Sequence, residues 1–444
     1  MPFPSLRHFR SVFAKRDFRL LFAGQFTSLL GDQFYMIALP WLVLRLEGSS
    51  VALGGILALQ ALPRALLMLV GGAITDRLSP RRVMLASNLI RMMLVFSMGL
   101  LVFFDLIDVW MLYIAALALG VADAFFYPAQ TAIVPQVTSR RHLGAANAVM
   151  QGSNQFTLFL GAVVAGAIIA LFSPPGAELR GIGCALLIDA LTFVASAVTL
   201  HLMSPQTGQR DRRAHPSLIR SIREGMRYVL GNATMRTLFL IVVAVNFTVL
   251  GPVTVGIPVL ANSRLQGGAA GYGLIMSMFG LGSLIGILIG GATKRPAGKR
   301  AVTIITVSCY GFALGMAVLG LARNLFLVAA LMVFLGIGAG YLVVLYVSWL
   351  QAKTPRRMIG RVMGLFSFAT LGLVPVSQAL TGALGRLSIT WVFIGSGVLL
   401  FLVTFTGAAS KSLLEIGYEP TPDEPHDNGL GQAPHRQGPT SGGT

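Results

Sequence analysis

The segment GGAITDRLSPRR, Gly71 to Arg82, follows a long apolar stretch and places four charged side chains within seven positions. A second segment, GGATKRPAGKR, ends at Arg300 and repeats its main elements. Four positions recur after a shift of 218 residues: Gly72, Arg77, Arg81 and Arg82 become Gly290, Arg295, Lys299 and Arg300. A shift of almost half the chain predicts an internal duplication in which each half carries one basic hinge.

The composition is that of a membrane protein. Of the 444 residues, 55% are apolar and 11% are charged, whereas about 25% of the residues in an ordinary soluble domain are charged. The net charge of +18 would suit a nucleic-acid partner only if the basic residues formed one face of a folded domain. Nearly all of them lie instead in short gaps between apolar stretches. We therefore expect no nucleic-acid partner.

Twelve apolar stretches are long enough to cross a bilayer, which takes about 20 residues of helix. They lie at 19–44, 51–75, 83–104, 109–133, 144–172, 181–203, 237–261, 271–293, 301–322, 325–350, 361–385 and 388–410. The sequence predicts an all-α membrane protein with twelve transmembrane helices in two six-helix bundles. Its predicted parts are an N-terminus (1–18), a first bundle (19–203), a linker (204–236), a second bundle (237–410) and a disordered tail (411–444).

The distribution of basic residues predicts the orientation. The loops and termini on the side of the two ends hold 27 Lys and Arg residues, and the opposite loops hold five. Basic residues favour the cytoplasmic side, so both termini are predicted to be cytoplasmic. Six spans in each half keep the two hinges on that same side, as in a parallel repeat.

The linker contains an amphipathic segment, SLIRSIREGMRYVL. Met226 and Val229 belong to its apolar face, and Arg223, Glu224 and Arg227 belong to its charged face. The pattern predicts a short helix lying on the lipid of the inner leaflet. A helix packed on the ends of the bundle is the alternative.

Five charged residues lie inside predicted spans, all in the first half: Asp32, Arg64, Arg91, Asp123 and Asp189. Each costs about 2.5 to 3.5 kcal/mol at the bilayer centre, so each needs a partner or a function. No Asp or Glu occurs between Glu224 and Glu415. A carboxylate that carries protons would therefore belong to the first half.

Polar residues at helical spacing form stripes on three spans. The stripes are Gln25, Ser28 and Asp32 on the first span, Asp123, Tyr127 and Gln130 on the fourth, and Asn147, Gln151 and Asn154 on the fifth. Lipid would leave these groups without hydrogen-bond partners, so the stripes predict a shared water-filled cavity. In the second half the candidate cavity residues, including Asn246 and Tyr341, are uncharged and lie among Phe and Met.

Several motifs resemble the major facilitator superfamily and, within it, the bacterial branch of the enterobactin exporter and the macrolide efflux proteins. They are SLLGDQFYMIALPWLV, ALPRALLMLVGGAITDR, YPAQTAIVPQV, LGAANAV and IGRVMGL. The resemblance implies alternating access, with a central cavity lined by the first and fourth spans. It departs from the drug antiporters of the superfamily, because the fourth span lacks an arginine and the fifth has Gly161-Ala162 in place of a glycine-proline pair.

The hinge resembles the superfamily pattern Gly-x-x-x-Asp-Arg-x-Gly-Arg-Arg/Lys, which latches one transport state. The matching residues are Gly72, Asp76, Arg77, Arg81 and Arg82, while Ser79 and Pro80 depart from it. We expect Asp76 to contact Arg361 in the other half. The alternative is a solvated loop that only sets topology, because exposed ion pairs contribute about 0 to 1 kcal/mol.

Asp32 and Asp123 are predicted to bind protons or cations, because loss of water raises the proton affinity of a carboxylate. Arg64 is predicted to hold an anionic cargo or to neutralise an aspartate, with an interhelical ion pair as the alternative. Arg91 and Asp189 lie on spans that are peripheral in the resembled fold. For these two we expect structural pairing or snorkelling.

Patterns of catalysis and of nucleotide or metal binding are missing from the sequence. We expect a monomeric secondary transporter of the plasma (inner) membrane, with no cofactor, that exports a small amphipathic compound by proton antiport. Drugs, macrolides and siderophores are the expected cargo classes. Alternatives are transport of lysophospholipid or another lipid, and a scaffold or sensor that transports nothing.

Overall fold

The computed structural model describes residues 11–139, 142–174, 178–204, 218–265, 267–293, 299–354 and 358–408, together with Pro296. Within these ranges the chain is helical. The helices of the first half are α1 (Arg16–Leu46), α2 (Ser50–Arg77), α3 (Pro80–Phe103), α4 (Val109–Val137), α5 (Leu143–Leu171) and α6 (Glu178–Leu202), and α7 (Leu218–Gly231) is the linker helix. The second half contains α8 (Ala233–Gly251), α9 (Ile257–Ser263), α10 (Gly268–Ala292), α11 (Lys299–Leu321), α12 (Leu325–Lys353), α13 (Ile359–Gly372), α14 (Val374–Gly385) and α15 (Ile389–Ala408).

Twelve helical stretches of the described residues are long and apolar enough to cross a membrane. This confirms the predicted fold class, and the predicted bounds agree to within a few residues. The predicted tail, 411–444, lies outside the described residues.

Two predicted spans are broken rather than continuous. The seventh consists of α8, a π-helical turn at Pro252–Gly256, and α9. The eleventh is interrupted between α13 and α14, just before Pro375. Proline lacks the amide hydrogen that a continuous helix uses. Ser377 hydrogen-bonds to the backbone beside the break in the seventh span. Its Oγ accepts from the Gly251 amide at 3.1 Å and donates to the Phe247 carbonyl, which ties the two breaks together.

Polar caps define several helix starts. The side chains of Ser49, Ser79, Asn232 and Asn324 each accept a backbone N–H of the first turn of α2, α3, α8 and α12. Such caps satisfy amides that have no partner within the helix. Ser79 is followed by Pro80 at the first helical position, where a missing N–H costs nothing. The departure of the hinge from the superfamily pattern therefore makes a helix cap.

The helices form two bundles with matching internal packing. In the first half α2 packs on α4, and α3 packs on α6. The equivalent pairs in the second half, α10 with α12 and α11 with α15, also pack together. The bundles meet through α2 with α14 and through α5 with α10. These two cross-contacts are equivalent under the 218-residue shift, so the predicted duplication extends to the interface.

The two halves are in close contact at the end opposite the hinge. Ser50 Oγ donates to the Gly382 carbonyl at 3.0 Å. A β-carbon at Gly54 would lie 2.6 Å from the Gln378 carbonyl oxygen and 2.7 Å from the Gly382 Cα. On the other cross-contact, a β-carbon at Gly166 would lie 2.6 Å from the Ala269 carbonyl oxygen. Glycine permits this backbone approach, as in other tightly packed membrane helices, and it seals one side of the protein.

The halves separate toward the hinge. Gly72 lies five full turns from Gly54 on the same face of α2, yet a β-carbon there would meet nothing within 4 Å. The same holds for Gly364 near the hinge end of the eleventh span. One end of the interface is therefore closed and the other is open.

The linker helix packs on the second bundle. Val229 is fully buried, and Met226 packs against the same cluster of α8, α12 and α13 side chains. Glu224 forms an ion pair with Arg361 at the start of the eleventh span. These contacts match the alternative of a helix packed on the bundle ends.

Substitution of Gly54 by valine should open the sealed end, because the new side chain overlaps the backbone of α14. The distance between spin labels at the sealed ends of α2 and α14, measured after replacement of Cys184 and Cys309, should increase. Gly72→Val is the matched control, because it adds the same side chain to the same helix in open space. Identical distance distributions in the two variants would contradict this packing model.

Candidate functional site

A cavity of about 340 Å³ lies between the two halves below the seal. Its volume is in the range of small-molecule sites, about 300 to 1,000 Å³. The first half contributes Asp32, Tyr35, Met36, Leu39, Pro40, Leu57, Gln60, Ala61, Arg64, Ala65, Arg91, Asp123 and Tyr127. The second half contributes Leu250, Thr254, Tyr272, Met276, Leu371, Val374 and Gln378. Both helix breaks of the second half line this cavity. Asp32, Asp123 and Tyr127 of the predicted polar stripes line it too, whereas its described lining includes no residue of the fifth-span stripe.

Arg91 on α3 brings two predicted proton sites together. Its Nη2 donates to Asp32 Oδ1 of α1 at 2.7 Å, and its Nε lies 3.2 Å from Asp123 Oδ1 of α4. The first contact is a hydrogen-bonded ion pair, whereas the second does not meet hydrogen-bond geometry. The side chains of Arg91, Asp32 and Asp123 are 7%, 22% and 9% exposed. Asp32 is thus the carboxylate most open to the cavity.

Two aromatic rings enclose the Arg91 guanidinium. Its central carbon lies 4.9 Å from the ring centroid of Phe126 and 4.4 Å from that of Phe193. A desolvated cation–π contact contributes about 2 kcal/mol. The expectation for Arg91 was structural pairing or snorkelling. Arg91 is paired inside the bundle, and it lines the central cavity.

Arg64 of α2 lies at the cavity wall over Tyr127 of α4, with 4.5 Å between the guanidinium carbon and the ring centroid. The two predicted cavity residues are therefore in contact. Beside them, the Tyr35 hydroxyl donates to Gln60 Oε1 at 3.3 Å. These polar groups and the half-buried Arg64 lie opposite the acidic side of the cavity.

The remaining predicted residues of the first half continue toward the hinge. Gln130 Nε2 donates to Gln25 Oε1, which links α4 to α1. Ser28 is buried and has no protein hydrogen-bond partner. On α5, Asn147, Gln151 and Asn154 are exposed. Gln151 lies three turns from Ala162, which contacts α10, so it is on the face turned to the other half.

Two predicted cavity residues of the second half do not line the central cavity. Asn246 lines a separate cavity of about 180 Å³ inside the second bundle, where its Nδ2 donates to the Val242 carbonyl at 2.8 Å. That cavity is mainly apolar and shares Leu250 with the central one. Tyr341 lies half-buried on α12, and its backbone amide is beside Gly286. The sequence alone does not show whether a polar residue of the second half faces the central cavity or the interior of the second bundle.

The family model for the Major Facilitator Superfamily matches residues 21–374. The chain belongs to this superfamily. Superfamily members are transporters, which agrees with twelve spans in two halves around a cavity. The resemblance inferred from the motifs is confirmed.

Three curated relatives are named as efflux proteins or exporters, and each is similar to this chain at modest identity. The multidrug efflux pump Tap of Mycolicibacterium fortuitum is 25% identical over 82% of this chain and 88% of its own length. Macrolide efflux protein A of Enterococcus faecalis is 23% identical over 72% and 96%. The enterobactin exporter EntS of Escherichia coli O139:H28 is 26% identical over 83% and 85%.

Solved structures of superfamily type share the fold at low identity. The nucleoside transporter NupG aligns with a TM-score of 0.69 at 13% identity, covering 89% of this chain and all of its own. A bacterial homologue of the iron transporter ferroportin, in an inward-facing state, aligns with a TM-score of 0.68 at 16% identity, covering 89% and 99%. At these identities the likeness concerns the fold alone.

The superfamily hinge makes contacts within the first half. Arg81 donates from Nε to the Leu200 carbonyl at 2.6 Å and from Nη2 to the His201 carbonyl, so it caps the end of α6. Arg82 and Arg77 are exposed. The Asp76 side chain lies outside the described residues, and Arg361 is paired with Glu224. The contact between Asp76 and Arg361 stays a prediction.

Arg91 and Asp189 are the residues that sequence reasoning undervalued. Arg91 was assigned to a peripheral span, although it lies at the middle of α3, too deep to snorkel to either interface. Asp189 is fully buried on α6. Their position deep within a span was the available sequence signal for buried partners. It was given little weight because both helices were assumed to be peripheral.

Removal of Arg91 should destabilise the first half, because Arg91→Ala leaves two buried carboxylates without their cation. Loss of one partner of a buried pair costs about 3 to 5 kcal/mol. Thermal unfolding in detergent measures the effect, with the exposed Arg323→Ala as the matched control. The Arg91→Ala, Asp123→Asn double variant should regain part of the loss. Equal stability of the single variant and the control would rule out this ion pair as a stabilising element.

Proposed function

We propose that the protein exports a small amphipathic organic compound by alternating access, driven by proton antiport. The observation that carries this proposal is the division of the cavity wall. The four charged lining residues, Asp32, Arg64, Arg91 and Asp123, belong to the first half. The described lining residues of the second half are neutral and largely apolar. A compound with one polar or charged end and one apolar body fits such a wall.

The open end of the cavity suits loading from inside the cell. The hinge lies on the side with the excess of basic residues, which favours a cytoplasmic orientation in the plasma membrane. The seal at Gly54 and Gly382 then closes the external side. An exporter in this state takes up cargo from the cytoplasm or the inner leaflet, and closure at the hinge would expose it outside.

The hinge supplies a candidate for that closure. With Asp76 and Arg361 on opposite halves, an ion pair between them would hold the alternate state. In the described state Glu224 occupies Arg361, so the linker helix would have to release it. This exchange of partners agrees with a latch that acts in one state only.

Asp32 is the most favourable site for coupling to protons. It is the most exposed of the Arg91 carboxylates and lines the cavity. Protonation of Asp32 removes its attraction for Arg91, and a cationic cargo group competes for the same oxygen. Movement of one charge through 100 mV supplies about 2.3 kcal/mol. The efflux activities named for Tap, macrolide efflux protein A and EntS support export as the direction.

Transport into everted membrane vesicles tests the proposal, with ethidium and erythromycin as probes. Vesicles containing the protein should accumulate a probe when respiration supplies a proton gradient, and an uncoupler should abolish accumulation. Accumulation that persists without the gradient would contradict proton coupling and favour lipid-type or facilitated transport. Absence of flux for every probe, with a cytosolic partner bound, would favour the scaffold alternative.

Asp32→Asn should reduce gradient-driven accumulation at least tenfold, because the amide cannot exchange a proton. Membrane insertion and thermal stability are measured in parallel. Asp17→Asn, outside the cavity at the start of α1, is the matched control and should transport normally. Full activity of Asp32→Asn would exclude this carboxylate from coupling.

The Arg64→Gln variant tests whether Arg64 binds an anionic group of the cargo. If Arg64 holds an anionic group, the variant should lose about tenfold in protection against deoxycholate, since a lost ionic hydrogen bond of about 1.4 kcal/mol corresponds to that factor. Protection against tetraphenylphosphonium should be unchanged or higher. Arg323→Gln is the control. Equal loss for both probes would assign Arg64 to structural pairing instead.

A further inference from the structure

Asp189 on α6 is a third buried carboxyl group beside the Arg91 cluster. Its residue is fully buried. Oδ1 lies 3.4 Å from the Thr192 hydroxyl, and Oδ2 has no protein hydrogen-bond partner. No lysine or arginine among the described residues forms an ion pair with it. The proposed function does not yet use this group.

Close helix packing places Asp189 against α1. A β-carbon at Gly31 would overlap the Thr192 hydroxyl and lie 2.5 Å from Asp189 Oδ1. Gly31 immediately precedes Asp32. One turn further along α6, the ring of Phe193 lies under the Arg91 guanidinium at 4.4 Å. Asp189 is therefore packed against the turn of α1 that carries Asp32, and it lies one turn of α6 from the ring that contacts Arg91.

The charges that face Asp189 can be assigned helix by helix. α6 packs on α3, α1 and α5. α3 contributes Arg91, α1 contributes Asp32 and Tyr35, and α5 contains no titratable residue. Behind these, α4 contributes Asp123 and Tyr127. Arg91 is the one cation on the helices packed against α6 within the core, and it is already shared by two carboxylates.

Charge balance determines the state of this group. Asp32 and Asp123 are balanced by Arg91 and Arg64. An ionised Asp189 would add one uncompensated charge in a dry interior, which proteins avoid by neutralising the group. A protonated, neutral Asp189 avoids that charge. Its Oδ2 then needs much less stabilisation by hydrogen bonds or a nearby cation than a carboxylate oxygen would.

We propose that Asp189 holds the coupling proton in this state and exchanges it with Asp32 through a change of partner at Arg91. Arg91 Nη1 is buried and has no acceptor, and Asp189 Oδ2 is buried and has no donor. When the proton passes from Asp189 to Asp32, the Asp189 carboxylate gains Arg91 as its partner and Asp32 leaves it as a neutral acid. Arg91 stays protonated throughout, so one proton moves and the number of charges is conserved. Asp32 then releases the proton to the cavity.

This inference rests on the proposed proton coupling, but its first test does not depend on transport. Infrared spectroscopy of the purified full-length protein at neutral pH should show the carbonyl stretch of a protonated carboxylic acid. Asp189→Asn should remove that band, and the exposed Asp105→Asn should retain it. A band that survives in Asp189→Asn, or one lost only in Asp32→Asn, would overturn the proposal.

Stability gives a second arm. Since Asp189 is neutral, the nearly isosteric Asp189→Asn should unfold at a temperature close to the wild type and well above that of Arg91→Ala. Destabilisation of Asp189→Asn as large as that of Arg91→Ala would contradict the proposal, because it would indicate that Arg91 depends on a charge at Asp189.

Vesicle assays separate a proton site from a packing role. Asp189→Asn should retain exchange of ethidium between the preloaded and external pools. It should lose gradient-driven accumulation of ethidium. The rate of ethidium exchange should also lose the pH dependence that the wild type shows. Unchanged gradient-driven accumulation in Asp189→Asn would overturn the role of Asp189. If the infrared result holds while the wild type shows no flux, the proton site stands and the proposed export function fails.

Discussion

The ion pair cluster around Arg91 is the constraint on which the first half depends. One guanidinium contacts carboxylates from α1 and α4 and rings from α4 and α6. In a membrane interior these charges are tolerable only together, because each one alone costs several kcal/mol. The same cluster lines the cavity, so under the proposed function the group that contacts four helices would also contact the cargo. Stability and transport would then depend on the same side chain.

The glycine contacts at the sealed end impose a second constraint. Gly54 and Gly166 let the two halves approach until their backbones touch. A hydrogen bond between membrane helices contributes about 0.6 kcal/mol on average, so Ser50 with Gly382 adds little strength. The seal therefore depends mainly on close backbone packing. Under the proposed alternating access, this packing would have to separate for the external side to open.

Much of this architecture was predictable from the sequence, since apolar length, basic loops and the 218-residue repeat each follow a simple physical rule. Asp32, Asp123 and Tyr127 of the predicted polar stripes line the cavity, as does Arg64, whereas the described lining includes none of the fifth-span stripe. The breaks in the seventh and eleventh spans were not predicted, because hydropathy is insensitive to a π-turn. The importance of Arg91 was underestimated because its span is peripheral in the resembled fold. Its position at the middle of that span was given less weight. The prediction that Asn246 lines the central cavity failed for a related reason. Its side chain lines the cavity inside the second bundle, and helical spacing does not show which of the two cavities a polar residue faces.

The uneven distribution of charge across the cavity has an evolutionary consequence. The charged lining residues lie on the first half, while the lining of the second half is neutral and includes two broken spans. Under the proposed function, substitutions in the second half would change which molecules fit without changing the residues that couple to protons. Related transporters could then differ in cargo through the lining residues of the second half, while they keep the same proton-coupling residues in the first half.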